Sequence, residues 1–358
     1  MQNKNTTSLL FKLIRLGLDT EKDTEFPILT DKEWMELVEL GKRLAMTGLM
    51  FSGIEKLPQE KRPQKGILLG LIDKCLRIEK MNSIHNRKVA AVYRLFEEAE
   101  LKPVIMKGQG LATLYPCPQR RMPGDVDVWV MDDFERAKGF VMERDPQAIA
   151  SRRHIQSKKD REMTVEVHTV PAVMFNPFST KWLKSWFGVM KEKAVVCELP
   201  EGAGRIMVPD DGMYRVFLLV HKYMHFLCGG IGMKQMTDYM MLLRKGFTEE
   251  EKRESVRIIK KLNMGRFCRA VMYVLKEKLG MEDRYLLMEP DCKAGEILMR
   301  EILTTGNFGF YDSRYKTDMG YGKRLIYRLK RRWMMVRYFG TEPLWDYYNR
   351  VLGKEEID

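Results

Sequence analysis

The sequence predicts an α+β protein, with a small strand-bearing core held between two helical regions. Three observations carry this expectation. Apolar residues recur at helical spacing up to about residue 98 and again after Pro209. Between these stretches lie short runs rich in β-formers, bounded by Gly or Pro. The chain is also 358 residues long, more than one compact core usually serves. The expected organisation is an N-terminal helical region over 1–98, a core over 99–208, and a C-terminal helical region with a basic tail over 209–358.

Each element has its own local reason. Thr30-Asp31 ahead of Glu33-Trp34-Met35-Glu36-Leu37-Val38 reads as a capped helix start with acid in the first turn. From Gly66 to Glu98, Leu68, Leu69, Ile72, Leu76, Ile84, Val89, Val92 and Phe96 fall at helical spacing and are expected in the core. The pattern changes near residue 101, where Lys102-Pro103-Val104-Ile105-Met106 is a short β-like run ending at a Gly turn. Leu111 to Tyr115 can form a helix, stopped by Pro116 and Pro118. Gly124 introduces a strand over 125–130, and a helix around Asp132–Arg144 follows. Further strands are expected over 151–157, 163–168 and 204–208. Strands mixed with helices over about 100 residues fit a small α/β or α+β domain. After Pro209, Asp210 or Asp211 can cap a helix running through Val216, Leu219, Val220 and Tyr223. Between Lys323 and Arg337, Arg324, Arg328, Arg331 and Arg332 fall beside Leu325, Leu329, Trp333 and Val336, the pattern of a basic amphipathic helix. No internal repeat is present.

Composition narrows the function. Lys and Arg number 62 against 49 Asp and Glu, a net charge of +13. That excess favours an anionic partner such as a nucleotide, RNA or an acidic surface. The six Cys (75, 117, 197, 228, 268 and 292) are scattered singly, without a Cys-x-x-Cys pair. This argues against a structural zinc site or a disulfide framework, and fits reduced thiols in a cytoplasmic compartment. Leu9-Leu10-Phe11 is interrupted by Lys12 and Arg15, so no signal peptide is expected. No charge-free apolar run approaches the roughly 20 residues of a membrane helix, so no membrane partner is expected.

The chemistry is concentrated in one stretch. Lys107-Gly108-Gln109-Gly110-Leu111 is followed fourteen residues after Leu111 by Asp125-Val126-Asp127-Val128-Trp129-Val130. Residues i and i+2 of a strand share a face, so Asp125 and Asp127 point together while Val126, Val128 and Val130 point into a core. Two carboxylates on one face resist ionisation unless a cation joins them, and Mg²⁺ is the natural choice. Glu166 lies on a second alternating run and supplies the third acid that a two-metal site needs. His168, two residues on, shares its face and can contact substrate, ligate metal or orient the acid. Gly108 lets backbone approach a phosphate and Lys107 adds a point charge, while Gln109 completes the turn. The Gly-x-x-x-x-Gly-Lys phosphate loop and the third Gly of a dinucleotide fingerprint are both absent. Arg120 and Arg121 could steady phosphate charge with forked donors. His221 and His225, at i and i+4, share a helix face; packing or acceptor contact suits them better than zinc, because no acid of a His-Glu-x-x-His motif intervenes. Asp238 can end in the same polar patch.

Taken together, Val104-Ile105-Met106-Lys107-Gly108, Leu111, Leu114-Tyr115-Pro116, Arg120, Gly124-Asp125-Val126-Asp127-Val128, Val130 and Val165-Glu166-Val167-His168 resemble the bacterial nucleotidyltransferase-like family of the DNA polymerase beta superfamily. His221-Lys222-Tyr223-Met224-His225-Phe226, Gly230-Ile231-Gly232-Met233-Lys234-Gln235 and Asp238 resemble the helical region of those proteins, so the likeness spans roughly residues 100–245. It implies a mixed sheet flanked by helices, an NTP substrate and Mg²⁺ (or Mn²⁺), with Asp125, Asp127 and Glu166 as metal ligands and Gly108 as the phosphate turn. Gln109 departs from the Gly-Ser or Gly-Gly usual in the superfamily. The implied reaction moves NMP from an NTP to an acceptor hydroxyl. The acceptor, whether small molecule, tRNA or other RNA, or protein, is not implied. Two other readings are a catalytically lapsed protein of this fold that binds RNA or another partner, and a toxin-like enzyme acting on tRNA.

Overall fold

The computed structural model describes residues 4–130, 134–151, 154–157, 163–312, 314 and 321–352. Its N-terminal part is a helical bundle. α1 (Lys4–Gly17), α2 (Asp31–Arg43) and α3 (Thr47–Lys56) pack on one another and on α4 (Lys65–Glu98). Thr30 starts α2 through a capping box: its hydroxyl accepts from the Glu33 N–H at 3.4 Å, and the Glu33 carboxylate accepts from the Thr30 N–H at 2.8 Å. α4 is a spine about 50 Å long at 1.5 Å per residue. Its buried stripe is Leu71, Cys75, Ile78, Asn82, His85, Val89, Tyr93 and Phe96. Leu69 and Leu76, expected in the core, instead face solvent, 54% and 58% exposed. The packing face carries the polar Asn82, His85 and Asn86 at its centre, which hydropathy alone assigns outward.

The core that follows comprises β1 (Pro103–Ile105), the single turn α5 (Gln109–Ala112), β2 (Val126–Val130), α6 (Phe134–Arg144), β3 (Ile149–Ala150), β4 (His154–Ser157) and β5 (Val165–His168). The five strands form one sheet in the order β1-β2-β5-β4-β3. β2 and β5 run parallel and every other pair is antiparallel, so the sheet is mixed and the architecture α+β. α5 ends sooner than the helix expected over Leu111–Tyr115, because the Thr113 hydroxyl turns back onto the Gly110 carbonyl at 2.7 Å and the chain bends away. The expected helix start at Asp132, and residues 152–153 of the strand expected over 151–157, lie outside the described residues.

Register decides which side chains meet. The parallel pairing sets Asp127 beside Glu166 and Trp129 beside His168. Val165 and Val167 turn toward Phe96 of α4 and Phe140 and Val141 of α6. Alternation therefore leaves Glu166 and His168 on the opposite face, with Asp127. Trp129 packs edge-on against Phe187 of α7 (Pro177–Met190), ring centroids 6.3 Å apart. β6 (Val195–Leu199) and β7 (Gly204–Val208) form a separate hairpin, so the strand expected over 204–208 exists but outside the main sheet. β6 escaped the sequence reading because Val195 and Val196 are both solvent-facing, which breaks apolar alternation.

The remaining helices are α8 (Asp211–Cys228), α9 (Met233–Leu243), α10 (Glu249–Lys261), α11 (Gly265–Tyr273), α12 (Cys292–Thr305), α13 (Tyr321–Phe339) and α14 (Glu342–Val351). Asp210 caps α8 by accepting from the Met213 N–H at 2.8 Å. α8 is buried over most of its length and α9 over all of it. One continuous cluster of buried apolar side chains runs from Leu10 to Phe339. No helix among the described residues is long and apolar enough to cross a membrane.

Candidate active site

Five side chains meet at the C-terminal side of β1 and along the β2–β5 pair. The chain leaves β1 with the Met106 N–H donating to the Asp127 carbonyl at 2.8 Å, which sets Lys107 next to β2. Lys107 Nζ lies 2.9 Å from Asp127 Oδ2 and 3.9 Å from Asp125 Oδ2. His168 Nε2 lies 3.1 Å from Asp127 Oδ1 and 3.7 Å from Glu166 Oε2. Gln156 Nε2 holds the other Glu166 oxygen at 3.0 Å. Gly108 makes the bend after Lys107 at φ +79°, a left-handed conformation that disfavours any residue with a Cβ.

The electrostatics follow from crowding in a dry place. Burial opposes ionisation of Asp127, but Lys107 and His168 outweigh it and hold the carboxyl below its ordinary value. The His168 hydrogen bond does the same for Glu166. Burial also opposes the imidazolium of His168, yet its bonds to Asp127 and Glu166 push it up to about 9. Lys107 is held above its ordinary value against the pull of burial, by Asp127 and then Asp125. The cluster is thus two cationic side chains interleaved with three acids.

The donor set suits a divalent cation. Asp127, Glu166 and His168 each offer a ligand atom, and these atoms lie within 4.8 Å of one another. Asp127 Oδ2 is buried and, although close to Lys107 Nζ, receives no well-directed hydrogen bond. Such an oxygen gains a partner when a cation arrives. Carboxylate oxygens are hard donors of the type Mg²⁺ and Mn²⁺ prefer, whereas His168, held as the imidazolium, must give up its proton before Nε2 can join them.

Other residues picked out from the sequence fall into two groups. His221 joins the cluster, its Nε2 2.8 Å from Lys107 Nζ and 3.1 Å from His225 Nε2. Burial and the nearby Lys107 keep both imidazoles neutral: His221 is held well below its ordinary value and His225 is brought down to about 4. Arg121 and Asp238 reach the same cleft but bind each other, Nε to Oδ1 at 2.7 Å and Nη2 to Oδ2 at 2.9 Å. Tyr115 donates to the same carboxylate at 2.6 Å, so the pair fastens the loop to α9.

Arg120 and Gln109 point elsewhere. The Arg120 guanidinium binds Glu55 and, at 2.9 Å, Glu79 on the helical bundle. Gln109 is buried and its amide donates to Asn86 of α4. The residues the sequence reading did not single out are Lys222, Lys234 and Gln235, which line the cleft with Lys107, Gly108 and Asp125. The available signal was a lysine on an otherwise apolar helix face, beside Leu219 and Tyr223 in one case and Met233 and Met236 in the other.

A family model described as uncharacterised nucleotidyltransferase matches residues 30–280, about seven-tenths of the chain. No curated protein matches the chain significantly. The chain belongs to this uncharacterised nucleotidyltransferase family.

Proposed function

From that membership we propose that this protein transfers NMP from an NTP to an acceptor hydroxyl and releases pyrophosphate. The observation that supports it most is the β2–β5 register, which brings Asp127 and Glu166 side by side with Lys107 and His168 at hand. Asp125, Asp127 and Glu166 would hold Mg²⁺ or Mn²⁺, with His168 beside them. When bound, the metal supplies charge neutralisation at the triphosphate and polarises the α-phosphate.

The chain's own groups then have distinct tasks. The acceptor oxygen attacks the α-phosphorus, the α–β phosphoanhydride bond breaks, and the hydroxyl proton passes to a carboxylate. Glu166 is ionised, partly exposed and tethered by Gln156, so it is the acid that can receive that proton. Lys107 exchanges part of its hold on Asp127 for phosphate oxygen. His168 is a positioning residue that fixes the rotamers of Asp127 and Glu166 by reaching both carboxylates. The bend at Gly108 leaves backbone free to approach phosphate.

An RNA acceptor, including a tRNA, is favoured by a separate surface. On α13 and α14, Trp333, Tyr347 and Tyr348 are 50–69% exposed; Trp333 shares α13 with the exposed Arg328 and Lys330, and the half-buried Arg332 lies 5.0 Å from the centroid of the Tyr347 ring. Exposed aromatics among basic groups can stack bases and meet phosphates. The same surface would serve a catalytically lapsed RNA binder. The test is to incubate the protein with each α-labelled NTP, Mg²⁺ or Mn²⁺, and a cell extract. Label in the RNA fraction supports the RNA acceptor; label in small metabolites or protein reassigns it. RNA binding without label from any NTP overturns the transferase reading.

A further inference from the structure

The cleft beside Lys107 has a second basic wall. Lys222 of α8 and Lys234 of α9 are 2% and 8% exposed. Among the described residues neither forms an ion pair with a carboxylate. Lys222 Nζ donates to the Leu218 carbonyl at 3.2 Å and lies 4.6 Å from the centroid of the Tyr239 ring. Lys234 Nζ reaches the Pro123 carbonyl at 3.5 Å. Asp238, the acid on this wall, is already taken by Arg121 and Tyr115.

Two buried ammonium groups without a carboxylate are costly unless something else meets their charge. The surroundings keep room for them: a Cβ on Gly124 would stand 2.7 Å from Lys234 Nζ. Burial pulls the amine of Lys222 down to about 7 and that of Lys234 to about 8, so burial favours the uncharged amines and an anion in the cleft would favour the charged ones. The side chains of both line the cavity into which Lys107 and Gly108 also open.

We propose that Lys222 and Lys234 bind the β- and γ-phosphates of the NTP, the part that leaves as pyrophosphate. This rests on the nucleotidyl-transfer reading above. The diphosphate is the portion of an NTP whose charge matches the three lysines that line this cleft. The cavity is narrow, about 30 Å³, so the phosphates must part the side chains at its mouth to enter. The two lysines would make leaving-group stabilisation a task of the helical region, opposite the sheet that carries the acids.

Calorimetric titration of the full chain with inorganic pyrophosphate, in the presence of Mg²⁺, tests this. Lys222→Met and Lys234→Met are each expected to weaken pyrophosphate binding at least tenfold without lowering the melting temperature, since methionine removes a buried charge. Lys260→Met, an exposed lysine on α10, is expected to bind as the parent does. Should either cleft variant fail to fold, the parent protein gives the same answer: pyrophosphate must slow chemical acetylation of Lys222 and Lys234. Unchanged affinity in both variants, or no protection of either amine, overturns the assignment. Pyrophosphate binding through both lysines in a protein that transfers no NMP would sink the transferase reading and leave this site standing. NMP transfer with pyrophosphate affinity indifferent to both lysines would do the reverse.

Discussion

Lys107 keeps two acids in a place where they would otherwise repel. Its Nζ is 2.9 Å from one and 3.9 Å from the other, and Asp127 is 4% exposed. Without Lys107 the buried Asp127 keeps His168 as its remaining counter-charge, so the loss stays below the about 3–5 kcal/mol of a wholly unpaired buried charge. Lys107→Met is therefore expected to melt below the parent, and Mg²⁺ or Mn²⁺ to restore more stability to the variant than it adds to the parent. Equal metal responses in thermal melts of the two proteins would mean the carboxylates do not take up a cation. Most of this cluster was legible in the sequence, because Asp125, Asp127, Glu166 and His168 occupy alternate positions of apolar runs and alternation fixes their faces. Arg120 and Gln109 were not legible as they stand. Their partners, Glu55, Glu79 and Asn86, lie between 23 and 65 residues upstream on helices whose packing no local pattern reveals.

At the scale of elements, the parallel β2–β5 pairing brings the third acid to the first two. The sequence announced both strands but not their adjacency, which depends on a crossover of more than thirty residues. α4 teaches a related lesson: apolar residues on two sides left its buried face ambiguous, and polar Asn82 and Asn86 settle it by binding the loop and turn around Gln109 and Arg121. The junction of α7 with α14 carries a titration. Glu342, buried at the start of α14, accepts from the Asn176 N–H at 3.0 Å, yet burial pushes its carboxyl up to about 7. Its ordinary value is 4.5, so between pH 4.5 and 7 the folded chain holds a proton that the unfolded chain releases. Stability attributable to this group therefore falls as pH rises through that window. Glu342→Gln keeps an acceptor and removes the titration. By pH 8 it is expected to gain about 3 kcal/mol relative to the parent over the difference seen at pH 4.5, at 1.36 kcal/mol per unit. Parallel urea-denaturation profiles at the two pH values would contradict that role.

For the whole molecule, a continuous apolar core ties the acid-bearing sheet to the helices that wall its cleft, so the site is built from residues more than a hundred positions apart. Part of the +13 net charge stands on α13, which exposes Arg328, Lys330 and Arg337 beside Trp333. If RNA is the acceptor, replacing Arg328, Lys330 and Arg332 together with Gln should lower RNA affinity and flatten its logarithmic salt dependence by about 2, at roughly 0.7 for each phosphate no longer neutralised. An unchanged salt slope would place RNA elsewhere. The most direct measurement compares α-labelled and γ-labelled NTP, with Mg²⁺ and acceptor-containing extract, in the parent and in Asp127→Asn. The expected result is that label from the α-position becomes attached to acceptor, label from the γ-position leaves as pyrophosphate, and both signals fall at least a hundredfold in the variant. Attachment of γ-label, or equal transfer by the two proteins, would contradict nucleotidyl transfer at these carboxylates.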